Sequence, residues 1–445
     1  MSLFSRRAFL QLGASALAAQ QRAAAKPNFI VLFTDDMGYS DLSCYGNPVI
    51  RTPNLDRMAE EGVRFTSFYS AAPVCTPSRV GLLTGRYSIR AGQPNNTGPD
   101  TVGGLPLTEI LLPQVLKKQG YRTKAIGKWH LGFQPEEYMP TSRGFDSWLG
   151  LPYSNDMIPP WVKTTRPLRL YRDTEPLAEV KDQSTLTEQY TDEAVKFIRE
   201  AKGGPFFLYL PYAMPHLPVS ASPKFRNKSR GGLYGDAIET IDWSVGEILR
   251  TLREQGLDNN TLVVFTSDNG PWHELPARML ANGVERWHTG TKGILRGAKG
   301  TSYEGGSRVP AIARWPGVIA PRQVNRDMAS ALDIFPTLVK AAGGQMPADR
   351  VYDGYDILPA MKSGAKSPRE TFYYVRGAAL DAVREGPWKY RFARAEGAAP
   401  VPELFHLDND PAEQYNVFEQ NRDIGERLAA KLKAFAAEIK AQTPA

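Results

Sequence analysis

Four short apolar runs, each closing on polar residues, constrain the fold of this chain more than any other feature. They are 28–34 (NFIVLFT), ending at Asp35-Asp36; 123–127 (TKAIG), ending at Lys128-Trp129-His130; 205–210 (PFFLYL), leading to Pro215-His216-Leu217-Pro218; and 261–267 (TLVVFTS), ending at Asp268-Asn269-Gly270. Short, continuously apolar runs bounded by turn residues read as strands buried on both faces. Helical spacing falls between them. A short capped helix is predicted over 54–61, after Thr52-Pro53. Longer ones are predicted over 185–201, through Tyr190, Ala194, Phe197 and Ile198, and over 236–254, through Ile238, Ile241, Val245, Ile248 and Leu252. Another is predicted over 332–342. Strands alternating with helices imply an α/β fold, a large sheet between helices. Ligands of such sheets bind at the carboxyl ends of the strands, so four reactive strand ends predict one site.

The rest of the chain has a different rhythm. Gly343-Gly344 and the Pro- and Gly-bearing stretch to Pro359 read as a linker. Short strands over 372–376, 382–384 and 388–392 and a charged amphipathic helix over 424–440 follow. The expected division is a catalytic domain over 26–345 and a small C-terminal α+β domain over 346–445. Residues 1–25 carry Ser5-Arg6-Arg7-Ala8-Phe9-Leu10, a modest Ala-rich apolar stretch and Ala23-Ala24-Ala25. That order resembles a twin-arginine export signal with its cleavage site. It implies the twin-arginine export machinery as a partner and a periplasmic or secreted protein. The apolar stretch is too short to span a bilayer, so no stable membrane insertion is expected. The leader holds Arg6, Arg7, Arg22 and no acid, so three of the net +7 charges sit there and +4 remain. The remaining Lys and Arg are scattered, which argues against nucleic-acid binding and for mild attraction to anions. Only two cysteines, Cys44 and Cys75, are present, and on counts alone one disulfide between them is open to an exported chain.

Asp35, Asp36, Asp268 and Asn269 put carboxylates and an amide carbonyl at two strand ends, the ligand set of a hard divalent cation. Calcium suits it better than magnesium, because several protein oxygens plus a substrate oxygen can exceed six. Each motif taken singly is also an ordinary strand-terminating turn. Arg79 stands one helical turn after Cys75 in Cys75-Thr76-Pro77-Ser78-Arg79, so the two are expected to face the same way. Lys128 and His130, two apart, share a face if the segment is extended. His216 lies between two prolines that restrict its backbone. Lys299 sits in the glycine-rich stretch 296–306 (RGAKGTSYEGG), where backbone can approach an anion closely.

The pentamer from Cys75 to Arg79, running on to Leu83-Thr84-Gly85-Arg86, resembles the signature of type I sulfatases. In order along the chain, Asp35-Asp36-Met37-Gly38, Thr52-Pro53-Asn54-Leu55-Asp56, 127–132 (GKWHLG), 267–270 (SDNG), 300–306 (GTSYEGG), 314–317 (RWPG) and 404–411 (LFHLDNDP) extend the match. Through 151–156 (LPYSND) and 230–236 (RGGLYGD) the chain is most similar to the arylsulfatase A and N-acetylgalactosamine-6-sulfatase branch. The resemblance implies an alkaline-phosphatase-like core with a mixed sheet and a small C-terminal antiparallel sheet. It also implies one Ca2+ (Mg2+ in its place is open) and a formylglycine made from Cys75 by a maturase. Metal ligands would be Asp35, Asp36, Asp268, Asn269 and residue 75. Lys128, Ser154, His216 and Lys299 would bind the sulfate, with Arg79 and His130 around the hydrated aldehyde. In the mechanism this implies, Asp268 activates the nucleophile, His216 with Lys299 protonates the leaving alcohol, and His130 takes the proton that frees sulfate. The substrate would be a sulfated sugar or an aryl sulfate.

A phosphatase with two zinc ions commonly uses several His ligands, and of the five histidines here only two lie at plausible strand ends. A phosphonate monoester or phosphodiester hydrolase on the same core is the alternative. A carbohydrate-binding protein with a dead core is opposed by the intact set of acids, bases and nucleophile. Loops 152–182 and 270–296 are expected to shape the pocket. Trp161, Trp272, Trp287 and Arg286 on them are candidates for contact with a sugar, or for local packing.

Overall fold

The computed structural model describes residues 26–201, 203–393 and 401–442. The export-signal expectation for 1–25 lies outside the described residues. Ten strands build the large sheet: β1 Asn28–Thr34, β2 Val63–Phe65, β3 Arg122–Ile126, β4 Ser147–Gly150, β5 Arg169–Arg172, β6 Glu175–Glu179, β7 Phe206–Pro211, β8 Thr261–Ser267, β9 Ala311–Arg314 and β10 Gln323–Asn325. Their spatial order is β10-β2-β9-β8-β1-β7-β3-β4-β5-β6. The five central strands, β8-β1-β7-β3-β4, are parallel. β9 joins β8 antiparallel, and β5 joins β4 antiparallel, so the sheet is mixed.

β1 shows why apolar runs make the centre. Phe29, Val31 and Phe33 point to one face and Ile30 and Leu32 to the other, all fully buried. The Ile30 face is covered by α1 Pro53–Glu60, α4 Leu186–Glu200 and α5 Gly232–Glu254. The Phe29 face is covered by α2 Cys75–Thr84, α3 Leu112–Lys118 and α6 Ile334–Ala341. Each large side chain so buried contributes about 1.5–3 kcal/mol. α5 starts earlier than the 236–254 expected, because Gly232 and Gly235 disguise its first turn while Tyr234 packs into the core. The helix expected over 332–342 opens as a 3-10 turn at Ala331–Asp333, capped by Ser330, whose Oγ accepts from Leu332 N–H. Among the described residues no helix is long and apolar enough to cross a membrane.

The C-terminal sheet is an antiparallel meander of β11 Thr371–Arg376, β12 Ala379–Glu385, β13 Trp388–Ala393 and β14 Val401–His406. α7, Arg422–Gln442, packs Leu428 and Leu432 on Val383, Tyr390 and Leu404. β14 was absent from the pattern of strands expected, since Pro402 interrupts it. An edge strand tolerates that proline, which needs no donor on its open side. β12 is longer than 382–384 because its buried polar members, Asp381 and Arg384, break the apolar run.

A buried charge network joins this sheet to the core. Glu304 accepts from Tyr69 Oη (2.5 Å), Tyr374 Oη (2.6 Å) and Lys389 Nζ (2.9 Å), and Lys389 also pairs with Glu413 (2.8 Å). Burial works against the Glu304 carboxylate, but Lys389, Arg308 and Arg384 bring it down to about 2. Lys389 is fully buried. Replacing it removes the one cation between two buried carboxylates, a loss of about 3–5 kcal/mol. Lys389→Met should therefore lower the thermal unfolding midpoint by several degrees in a melting curve, and an unchanged midpoint would show the network to be dispensable.

Candidate active site

The carboxyl ends of β1, β3, β7 and β8 meet at one place, joined there by the N-terminus of α2. Asp35 and Asp36 follow β1, Lys128 and His130 follow β3, His216 follows β7, and Asp268 and Asn269 follow β8. All are nearly or fully inaccessible: Asp35, Lys128, His130, Asp268 and Asn269 at 0%, His216 at 3% and Asp36 at 4%. Cys75 opens α2 at 1% exposure, with the positive end of the helix macrodipole behind it. Arg79, one turn on, faces the same site as expected. One ligand atom from each of Asp35, Asp36, Cys75 and His216 lies within 4.8 Å of the other three.

Three cations answer three carboxylates. Lys128 Nζ donates to Asp35 Oδ2 (2.5 Å) and to Ser154 Oγ (3.0 Å). Arg79 Nη2 bridges Asp268 Oδ2 (2.8 Å) and Asp35 Oδ2 (3.1 Å), while Nη1 donates to the Lys128 carbonyl (3.1 Å). Lys299 Nζ pairs with Asp36 (2.7 Å). The Cys75 thiol donates to Asp35 Oδ1 (3.6 Å). Burial opposes the Asp35 charge, but Lys128, His216, Arg79 and Lys299 hold it far below the usual carboxylate range. Burial and the neighbouring Asp35 charge push Asp268 up to about 7, against the pull of Arg79. Burial also pushes the Cys75 thiol up. Both cysteines are free, so the disulfide between Cys44 and Cys75 is not formed.

The two histidines are held in definite tautomers by carbonyls, which can only accept. His130 Nε2–H donates to the Thr97 carbonyl (2.8 Å), leaving Nδ1 buried with no partner. His216 Nδ1–H donates to the Leu217 carbonyl (2.6 Å), leaving Nε2 turned to Asp36 Oδ2 (3.5 Å). Burial, with Lys128 and Arg79 nearby, keeps His130 neutral. Burial and Lys299 lower His216 as well, against Asp36.

Backbone geometry makes room for these contacts. β3 stops at Ile126, so 128–130 is not the extended segment that the two-residue spacing assumed. Gly127 takes φ +122° and a Cβ there would lie 1.9 Å from the Pro211 carbonyl. Asp36 and His130 occupy the left-handed region, φ 63° and 60°, a local cost of about 1–3 kcal/mol that functional sites often carry. The glycine-rich stretch packs closely on backbone rather than lying open: a Cβ on Gly270 would sit 1.8 Å from the Gly305 carbonyl. That packing delivers Lys299, whose N–H donates to the Pro271 carbonyl (3.0 Å).

A hard cation fits these residues. Asn269 Nδ2 donates to Asp36 Oδ1 (2.7 Å) and the Gly270 carbonyl (2.8 Å), yet its Oδ1 is buried and unpartnered. An orphaned amide oxygen beside three carboxylates is the donor such an ion takes. Sequence reasoning missed several supports. Thr97 orients His130, Asn96 Oδ1 accepts from Thr76 N–H (3.0 Å), and Asp156 adds negative potential at His216. Thr97 and Asn96 lie on loop backbone with no strand end to flag them. Trp272, one of three candidate tryptophans, reaches the site, its ring 5.7 Å from that of His216.

A family profile described as Sulfatase matches residues 27–344, and one described as N-sulphoglucosamine sulphohydrolase, C-terminal, matches 298–441. N-acetylgalactosamine-6-sulfatase of Mus musculus is 41% identical over 440 residues, spanning 88% of this chain and 82% of that protein. Arylsulfatase A of Bos taurus is 37% identical over 467 residues, spanning 94% and 88%. The crystal structure of a sulfatase from Pseudoalteromonas sp. superposes with a TM-score of 0.84 at 30% identity, covering 99% of this chain and 96% of that one.

The donor set predicts a single cation. Metal analysis of active protein should find one equivalent of calcium or magnesium. Asp35→Ala or Asp268→Ala should lose both the metal and at least about 100-fold in turnover while retaining the native circular dichroism. Stoichiometric zinc in fully active protein, without calcium or magnesium, would overturn the assignment.

Proposed function

We propose a substrate class and a chemistry for this chain, which belongs to the sulfatase family and is a sulfuric ester hydrolase. The substrate is a sulfate monoester of a carbohydrate, attacked at a terminal sulfated residue. The observation that carries the proposal is the balanced cluster of three carboxylates and three cations around residue 75, in a chain 41% identical to an enzyme named N-acetylgalactosamine-6-sulfatase. The alternative, a phosphonate monoester or phosphodiester hydrolase, has no comparable support among these relatives.

Asp35, Asp36, Asp268, Asn269 and residue 75 would hold calcium, which adds positive charge to an otherwise balanced site and polarises sulfuryl oxygens. A formylglycine at position 75 would supply, as its hydrate, a nucleophilic hydroxyl and a second hydroxyl from which sulfate can be released. Asp268 is the base for the attacking hydroxyl. Lys128, steadied by Ser154, and Lys299 bind sulfuryl oxygens and offset their charge. Arg79 bridges Asp35 and Asp268, offsets their mutual repulsion and orients both. His216 delivers a proton to the leaving alcohol from Nε2, which requires its imidazolium form; Asp36, facing that nitrogen, favours this form against burial and Lys299. His130 accepts a proton at Nδ1, which is buried without a partner.

The proposal includes a catalytic domain over 26–345, a C-terminal domain over 346–445, and export by the twin-arginine machinery to the periplasm or beyond. A maturase that oxidises Cys75 is then a required partner. Large sulfated glycans cannot enter a cell before processing, which agrees with export.

Peptide mass spectrometry of active protein should show aldehyde or hydrate in place of the Cys75 thiol. Cys75→Ser should abolish turnover in a host whose maturase accepts only cysteine. Active protein with an unmodified thiol would exclude this chemistry. His216→Ala should slow a sugar sulfate by about 100-fold or more, and nitrophenyl sulfate much less, because a sugar alkoxide needs a proton that a nitrophenolate does not. Equal losses on both substrates would remove His216 from the acid role.

A further inference from the structure

The three tryptophans on the pocket loops have distinct fates. Trp161 is 8% exposed and packs within the core. Trp287 is 72% exposed, and its ring neighbour is His288. Trp272 is half-buried and is the one against the reacting groups. Its ring centroid lies 4.6 Å from Lys299 Nζ and 5.7 Å from the His216 ring, with the two rings inclined at 47°.

Its backbone is fixed on both sides. Before it, the Gly270 N–H donates to the Gly306 carbonyl (3.0 Å) and the Pro271 carbonyl accepts from Lys299 N–H (3.0 Å). After it, His273 Nε2–H donates to the Gly290 carbonyl (2.6 Å). The indole is therefore held by the same backbone that supplies Asn269, rather than by a free loop. The acids, the histidines, Lys128 and Arg79 are buried and the Lys299 side chain is 8% exposed, whereas Trp272 keeps a partly open surface. It stands at the boundary between the reacting centre and solvent, next to the two groups assigned to the leaving oxygen.

We propose that Trp272 is the specificity-determining platform on which the leaving alcohol stacks, selecting sulfate esters of pyranose rings by their apolar C–H face. The inference rests on the carbohydrate reading above and deepens it. An indole offers the largest rigid apolar face of any side chain and loses little conformational entropy when a flat ring covers it. The sulfuryl group is held by Lys128, Lys299 and the cation, so those contacts do not distinguish one sulfated alcohol from another. Contact with the ring beyond the sulfate does. That contact is present before and during sulfur transfer, so it acts on KM more than on kcat.

The test compares wild type with Trp272→Phe, Trp272→Leu and Trp272→Ala on a sulfated pyranose that the wild type hydrolyses. Inorganic sulfate as a competitive inhibitor is the second readout. Trp272→Leu and Trp272→Ala should raise KM about tenfold, the equivalent of one good aromatic contact, with kcat within about threefold. Trp272→Phe should restore most of the loss, and the inhibition constant of sulfate should stay within about twofold in all three. Unchanged KM overturns the proposal. A sulfate inhibition constant that rises in step with KM also overturns it, because Trp272 would then act through Lys299. The leucine variant keeps apolar bulk should the alanine variant fail to fold. A wild type active on nitrophenyl sulfate but on no sulfated pyranose removes the carbohydrate reading itself, and the platform with it.

Discussion

The structure turns on the pairing of Asp35 with Lys128 and Arg79. Isolated carboxylates cannot be buried, since each costs several kcal/mol to desolvate. Here three lie together with almost no solvent contact. They are tolerated because Lys128, Arg79 and Lys299 reach them from three separate segments. Each pair therefore fixes one segment against another: β1 to the end of β3, α2 to both β1 and β8, and the glycine-rich loop to β1. The geometry of the candidate site and the packing of the strand ends are the same set of contacts.

That arrangement also divides labour between groups of similar chemistry. Asp35 and Asp268 are both fully buried and both touch Arg79, yet they respond oppositely. Asp35 faces the larger share of positive charge, and Asp268 faces Asp35. The histidines differ in the same manner. Carbonyl acceptors on different ring nitrogens, Thr97 for His130 and Leu217 for His216, leave Nδ1 free in one and Nε2 in the other. Two imidazoles in one pocket can so act at different atoms without exchanging roles. Left-handed backbone at Asp36 and His130 is the local strain that turns their side chains inward.

The C-terminal sheet is tied in by the same physics at a second place. Glu304 heads the short helical turn Glu304–Ser307 at the end of the stretch that carries Lys299. Its carboxylate is gripped by Lys389 and Tyr374 from the small sheet and Tyr69 from the core. The loop that brings Lys299 to Asp36 is thus braced from behind by the C-terminal sheet. Arg296, at the start of that loop, donates to the Glu413 carbonyl and reinforces the brace.

How much of this was legible in the sequence differs by the range of the interaction. The parallel centre was legible because strands buried on both faces must be apolar throughout, and runs such as 28–34 and 261–267 have few other uses. Their polar termini were legible as a site because parallel strands bring their carboxyl ends to one edge. The pentamer at Cys75 and the motifs around Lys128 and Lys299 pointed to the sulfatase family, to which the chain belongs. Sequence was silent where the decisive contact is a backbone carbonyl or a distant side chain. It carries no sign that Thr97 sets the tautomer of His130 or that Pro402 lies in an edge strand. Nor does it say which of Trp161, Trp272 and Trp287 meets the reacting groups, since all three have the same composition and similar loops. Local pattern reports burial and period. Which buried group faces which is decided only when the strands close side by side and electrostatics selects the partners.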